Sequence, residues 1–159
     1  MRRPGLRVCH VITRLELGGA QDNTLYTVSH LRAPFQASLM CGPGGILDDE
    51  AQRLGVPLRF VPSLQRPIRP HRDLAALLHL VRLFREERPD IVHTHSSKAG
   101  ILGRLAARLA GVPCVVHTIH GYGFHDAQPW PLRLALIGME RLASRVTSRF
   151  IAVSRANLE

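Results

Sequence analysis

Short apolar runs alternate along this chain with longer segments whose apolar residues recur at helical spacing. That pattern predicts repeated strand-helix units wound around a parallel sheet. Residues 6–13 read as a first strand, and Gly18-Gly19 closes its loop before a helix over 20–31. The apolar positions Ala20, Leu25, Val28 and Leu31 of that helix fall mainly on one side. Residues 36–41 form a second strand, Gly42-Pro43-Gly44-Gly45 a loop, 47–54 a short helix stopped by Gly55, and 57–61 a third strand. Pro62, Pro67 and Pro70 then forbid any regular element until a helix over 72–87, with Leu74, Leu77, Leu78, Val81 and Phe84 as its apolar stripe. Residues 90–93 are a short buried strand. Ser96 or Ser97 is suited to cap a helix over 98–110, which Gly111 and Pro113 terminate. A fifth strand spans 114–118, Pro131 opens a helix running to 144, and 150–153 supplies a sixth strand.

The expectation is therefore a single α/β domain of three layers, Rossmann-like, with an open parallel sheet of about six strands and helices on both faces. A length of 159 residues suits one such core. Hydrophobic residues at 45% and charged residues at 21% exclude a disordered or fibrous chain. The longest nearly apolar stretch, 74–84, is broken by His79 and Arg82 and falls far short of the ~20 residues of a membrane span. The basic start is followed by Arg7, His10 and Arg14 in place of an apolar signal core, so the cytoplasm is the expected compartment. Cys9, Cys41 and Cys114 are odd in number and sit in or beside strands, as small buried reduced residues do. After Ser154, a helix N-cap by chemistry, only residues 155–159 follow, and the chain is expected to be cut within an element.

The formal charge of +9 is carried almost wholly by arginine, since Lys98 is the only lysine. The arginines are scattered, and aromatic residues make up 5%, so no nucleic acid is expected as partner. An anionic membrane surface, at the inner face of the membrane, or a phosphate-bearing lipid is a candidate partner, set evenly against a merely solvated basic surface. The helix over 72–88 is a mediocre anchor, because Asp73, Glu86 and Glu87 interrupt its basic ends.

Ligands of open parallel sheets sit beyond the carboxyl ends of the strands. Three loops there carry chemistry. After the first strand Thr13-Arg14-Leu15-Glu16-Leu17-Gly18-Gly19-Ala20-Gln21 brings two glycines to a helix start, where backbone N–H groups can approach a phosphate or a sugar hydroxyl. Neither a dinucleotide fingerprint nor a P-loop spacing is present. After the fourth strand comes His93-Thr94-His95-Ser96-Ser97-Lys98, and after the fifth His117-Thr118-Ile119-His120-Gly121-Tyr122-Gly123-Phe124-His125. Histidines at one sheet edge beside glycines favour a polar ligand cleft over isolated structural histidines. His93 and His95 share a face, and His120 falls where the strand gives way to loop. His93, His95, His120, His125 and Asp126 would have to converge for zinc; no recognised metal-binding spacing joins them, and no metal is expected.

Four ordered segments, Val11 through Gln21, Asp90-Ile91-Val92-His93-Thr94-His95-Ser96-Ser97-Lys98-Ala99-Gly100, Val116 through Gly121, and Phe150-Ile151-Ala152-Val153-Ser154, resemble the family 4 retaining glycosyltransferases. The resemblance implies half of a GT-B enzyme, in which two Rossmann-like domains face each other across a cleft. The acceptor lies mainly on the first and the nucleotide-sugar mainly on the second, which would be missing here. It implies transfer of a sugar from a nucleotide diphosphate to an acceptor hydroxyl with retention, in polysaccharide or glycolipid synthesis. The nucleotide-sugar is then a co-substrate, no cofactor is needed, and the partners are a sugar or lipid-linked acceptor and the second domain. By resemblance His120 is the catalytic residue beside the transferred sugar. Gly18 and Gly19 lie against the donor phosphates or the acceptor; His95, Ser96 and Lys98 line the acceptor side; and Arg14, Gly121 and Tyr122 complete the substrate-binding set. The family's donor-binding pair of glutamates eight positions apart does not occur in the chain, which implies that the chain alone transfers no sugar. Two alternatives stand beside this reading: a stand-alone ligand-binding module without catalysis, and a metal-assisted hydrolase with a Rossmann-like fold using the histidine rim.

Overall fold

The computed structural model describes residues 5–121 and 128–154. Six strands form one sheet in the order β3-β2-β1-β4-β5-β6, with every neighbouring pair parallel. They are β1 Leu6–Arg14, β2 Phe35–Gly42, β3 Leu58–Phe60, β4 Ile91–His95, β5 Cys114–Ile119 and β6 Arg149–Ala152. The crossovers are α1 Gly19–His30, α2 Asp48–Arg53, α3 Pro70–Glu87, α4 Ser97–Ala110 and α5 Trp130–Ser144. The chain winds outward from β1 to β3, then returns across the sheet and winds the other way from β4 to β6. The order of strands therefore reverses between β1 and β4, where such sheets open a crevice.

Alternation along the central strands divides the core in two. Cys9, Val11, Met40, Val92 and Val115 pack with Leu80, Phe84, Leu102 and Ala106 from α3 and α4. Ile12, Leu39 and Cys41 pack with Leu25 and Val28 of α1 and Ala51 of α2. Helices thus cover both faces, as the periodicity predicts.

The differences from expectation are local. In α3 the buried stripe is Ala76, Leu80, Val81 and Phe84, while Leu74 and Leu78 are 56% and 59% exposed. Both faces of this helix carry leucines, so the period could not tell which face meets the sheet. β4 runs on to His95, beyond the expected end at residue 93, because Thr94 pairs with Val11 of β1 and His117 of β5, and His95 pairs with Thr118 of β5. Cys9 and Cys41 are buried as expected, but Cys114, which opens β5, is half-buried.

Close approach of α4 to the sheet depends on two glycines. A Cβ at Gly103 would stand 2.8 Å from Thr94 Cγ2, and one at Gly100 would stand 2.5 Å from His117 Cε1. Arg104, one position further along α4, is fully buried. Its guanidinium reaches Glu140 of α5 at 2.5 Å and donates from Nε to the Gly100 carbonyl at 2.8 Å.

Candidate functional site

The carboxyl ends of β1, β4 and β5 are tied together by side chains. Thr13, at the end of β1, shares a 2.8 Å hydroxyl hydrogen bond with Ser96, and its Oγ1 also accepts the Ala99 N–H at 3.3 Å. Ser96 occupies the N-cap position of α4, but its side chain makes no cap bond. It is held in a left-handed backbone conformation (φ 58°) and turns its hydroxyl across to β1. The capping bond expected from Ser96 or Ser97 is made instead by Thr13, which accepts the Ala99 N–H in the first turn of α4. Between β4 and β5, His95 Nδ1 lies 3.2 Å from His120 Nε2, and His93 Nε2 lies 2.7 Å from Thr118 Oγ1. The three turns converge.

Against this junction lies a cavity of about 520 Å³. Its lining is mixed: Arg14, Glu16, Gln21, Arg66, Ser96 and Lys98 are polar, and Ile68, Ile101, Leu102, Leu136 and Met139 are apolar. The cations are held by internal partners. Lys98 Nζ pairs with Asp73 at 2.5 Å and donates to the carbonyls of Gln65 (2.8 Å) and Pro67. Glu16 stands between Arg14 at 3.6 Å and Arg66 at 3.0 Å, and Arg14 also donates to the Gly44 carbonyl. Such pairing fixes the side chains in place before any ligand arrives.

Of the residues singled out from sequence, Arg14, Ser96 and Lys98 line this cavity. Gly18, Gly19, His95, His120 and Gly121 do not. Gly18 sits at the N-cap of α1, where its carbonyl accepts the N–H groups of Gln21 and Asp22, and a Cβ at Gly19 would meet nothing within 4 Å. The α1 N-terminus is therefore open at Gly19, while the Gln21 side chain lies against Gly18, its Oε1 2.9 Å from where a Cβ would stand. His95 is buried and His120 half-buried. Tyr122, His125 and Asp126 lie outside the described residues.

The imidazoles are held neutral by burial. His10 is pushed down to about 3 by burial and by the charge of neighbouring His93. Burial and the charge of His120 bring His93 to about 4. His95 is held well below the ordinary range by burial and four neighbouring histidines, and His120 is lowered by burial. His117 stands on the opposite face of the sheet from His93 and His95, although its charge still bears on His95. It faces α4, donates from Nδ1 to the Thr94 carbonyl at 3.1 Å, and is driven to about 3 by burial and the charge of Arg104. The expected histidine rim therefore loses His117 to a packing role and gains His10.

Donor nitrogens of His10, His93 and His95 all lie within 4.8 Å of one another, a grouping dense enough to weigh for a metal ion. Three imidazoles are a zinc donor set, but both nitrogens of His95 and Nε2 of His93 already hold hydrogen bonds that ligation would have to break.

Residues 18–159 match the glycosyl transferase 4-like domain. The chain belongs to that family. A galactosyltransferase of Escherichia coli named for UDP-galactose and α-D-GlcNAc-diphosphoundecaprenol is 40% identical over 155 residues, covering 97% of this chain and 40% of the relative. The crystal structure of Anabaena HepE with UDP and glucose superposes with a TM-score of 0.73 at 18% identity, over 95% of this chain and 39% of that one. A UDP-N-acetylglucosamine 2-epimerase superposes at 0.65 and 15% identity, over 93% of this chain and 42% of that one. The chain spans about two-fifths of the length of these proteins. An epimerase shares the fold, so the sequence match and not the architecture carries the family assignment.

Within this glycosyltransferase-family domain, sequence reasoning missed His10, Arg66, Asp73 and the apolar part of the cavity lining. His10 reads as one more residue of a buried strand until its register opposite His93 is known. Asp73, Leu136 and Met139 come from helices remote in sequence from the loops that carry the motifs.

Proposed function

We propose that this chain is the N-terminal, acceptor-side half of a two-domain glycosyltransferase that moves a sugar from a nucleotide-sugar to an acceptor hydroxyl with retention, in glycolipid or polysaccharide synthesis. The observation that carries this reading is the convergence of the β1, β4 and β5 turns beside one cavity whose lining carries both arginine and apolar side chains. That mixed lining suits an amphiphilic acceptor, with Arg14 and Arg66 toward a phosphate-bearing head and Ile101, Leu102, Leu136 and Met139 along a hydrocarbon tail. The name of the Escherichia coli relative, with its undecaprenyl diphosphate, supports a lipid-linked acceptor.

In this reading His120 stands beside the transferred sugar, and the N-terminus of α1 at Gly18 and Gly19 takes the donor phosphates or the acceptor. His95, Ser96, Lys98, Gly121 and Tyr122 shape the acceptor side. The departing diphosphate is stabilised mainly by a second domain, so the chain alone turns over no nucleotide-sugar. Any turnover by the purified chain would overturn that statement, and a coding sequence that stops at Glu159 would overturn the two-domain reading.

Work at the cytoplasmic face of a membrane is supported by α5. Trp130, Leu134 and Arg141 are exposed and fall on one side of that helix, its exposed C-cap Arg145 follows, and the chain carries a net charge of +9. No described helix is long and apolar enough to cross a membrane. Sedimentation with phosphatidylglycerol vesicles should capture the chain at low salt and release it at high salt; no capture at low salt would refute the membrane partner.

The acceptor site is tested by calorimetry with a short-chain prenyl diphosphate sugar. Arg14→Ala should weaken it roughly tenfold, the scale of one charge-assisted hydrogen bond, and leave the corresponding prenyl alcohol unaffected. Absence of binding by the unmodified chain at millimolar concentration would refute the assignment.

A further inference from the structure

One buried group has no part in the cavity. His10 lies in the middle of β1, directly opposite His93 of β4, and is 1% exposed. Its Nδ1 is 3.0 Å from His95 Nε2, and His95 Nδ1 is 3.2 Å from His120 Nε2. Three imidazoles thus form an unbroken hydrogen-bonded file from the core of the sheet to the half-buried residue at the end of β5.

Proton counting constrains this file. Burial keeps the rings neutral, so each carries one N–H. Each of the two nitrogen-to-nitrogen contacts needs one hydrogen. His95 stands in both contacts and has a single hydrogen, so it donates to one neighbour and accepts from the other. If it donates to His120, then His10 donates to it from Nδ1, and the hydrogen of His120 is left on Nδ1. If it accepts from His120, all three hydrogens sit on Nε2. No mixed arrangement keeps both hydrogen bonds.

We propose that His10 and His95 are positioning residues that lock the tautomer of His120, so that its outward nitrogen has one fixed hydrogen-bonding sense toward the substrate. The inference rests on His120 facing the transferred sugar, as proposed above. Burial bears on the direction of the file. His10 Nε2 is buried and has no hydrogen-bond partner among the described residues, and a buried N–H without an acceptor is more costly than a spare lone pair. That favours the sense in which His120 presents Nδ1–H outward, as a donor to a sugar oxygen. Without the file, a half-buried imidazole would interconvert between tautomers, and a fraction of the molecules would present the wrong sense.

Long-range ¹⁵N–¹H correlation spectra of the chain at neutral pH read each ring's tautomer without any activity being required. His10, His95 and His120 should carry their hydrogens on the same kind of nitrogen. A mixed set, or His120 as an unlocked mixture, would overturn the proposal. In His10→Phe, which keeps a flat ring and removes the hydrogen bond, the tautomer ratio of His120 should shift by roughly fivefold, the effect of one ordinary hydrogen bond. His93, bonded to Thr118 and outside the file, should keep its state. An unchanged His120 in a folded His10→Phe chain would overturn the coupling. If that variant does not fold, the uniformity of the unmodified chain still decides. A uniform file in a chain that binds no prenyl diphosphate would sustain the lock while removing the transferase reading, so the two failures are distinguishable.

Discussion

Replacing Glu140 by Gln removes the only carboxylate that faces the Arg104 guanidinium among the described contacts. Arg104 is 0% exposed and Glu140 is 21% exposed at the side chain, and Arg104 Nη1 has no partner among the described residues. Breaking a fully buried pair by removing one partner destabilises by about 3–5 kcal/mol, because the other charge stays buried without compensation. Partial exposure of Glu140 admits some water, which brings the expected loss to about 2–4 kcal/mol. For a chain of this length that corresponds to a fall in Tm of roughly 5–15 °C. The loss falls on a weak seam, since Ala143 is the only residue of α5 that is fully buried. α5 also carries Leu136 and Met139 into the cavity wall, so prenyl diphosphate affinity should fall even at temperatures where the variant is folded. Thermal melts followed by circular dichroism and calorimetry measure both effects. The double variant Arg104→Met with Glu140→Leu should recover most of the stability, because it leaves no unpaired buried charge. A Glu140→Gln variant that melts with the unmodified chain would refute the argument, as would a double variant no more stable than the single one.

Acid should destabilise the chain through its buried histidines. His10, His93 and His117 have folded values depressed from 6.5 to about 3, 4 and 3. The unfolded chain therefore binds more protons in this window, and stability is full above pH 6.5 and falls as the pH drops toward 4 and 3. Each group contributes a slope of about 1.4 kcal/mol per pH unit; urea titrations at pH 7 and pH 5 should show it, His117→Gln should flatten it by one group, and equal stability at the two pH values would refute it. Gly103→Ala should cost about 1–3 kcal/mol by forcing α4 away from Thr94, as overpacked cores do, and an unchanged urea midpoint would show that α4 tolerates the shift. Metal analysis after chelation should find no stoichiometric zinc; zinc retained by the unmodified chain and lost in His93→Ala would revive the hydrolase alternative.

Local periodicity was enough to name the elements, because strand and helix differ in the spacing of residues that must leave water. The glycine at the end of α4 was legible for a similar reason, since Gly111 adopts the left-handed conformation that its helix terminus requires. The motif loops were legible as well. In a parallel sheet the carboxyl ends of strands share one edge, so Arg14, Ser96, Lys98 and His120 could be assigned to one side of the domain from their order alone. What a one-dimensional pattern lacks is register and facing. Leu74 and Leu78 obey the same period as the truly buried face of α3, and only packing against the sheet chose between them. Ser96 has the chemistry of a cap, yet the neighbouring strand end offered its hydroxyl a better partner in Thr13. His10 joined the histidine file because β1 pairs with β4 in the one register that sets it opposite His93, a choice made across more than eighty residues of intervening chain. Leu136 and Met139 likewise join the cavity lining only once α5 has docked on α4, where Arg104 and Glu140 pair. The sequence by itself determined which segments are helix and strand and which loops carry chemistry, since these follow from local spacing. Only tertiary packing decided which side chains meet, because contact energies depend on neighbours that the chain brings together late and from afar.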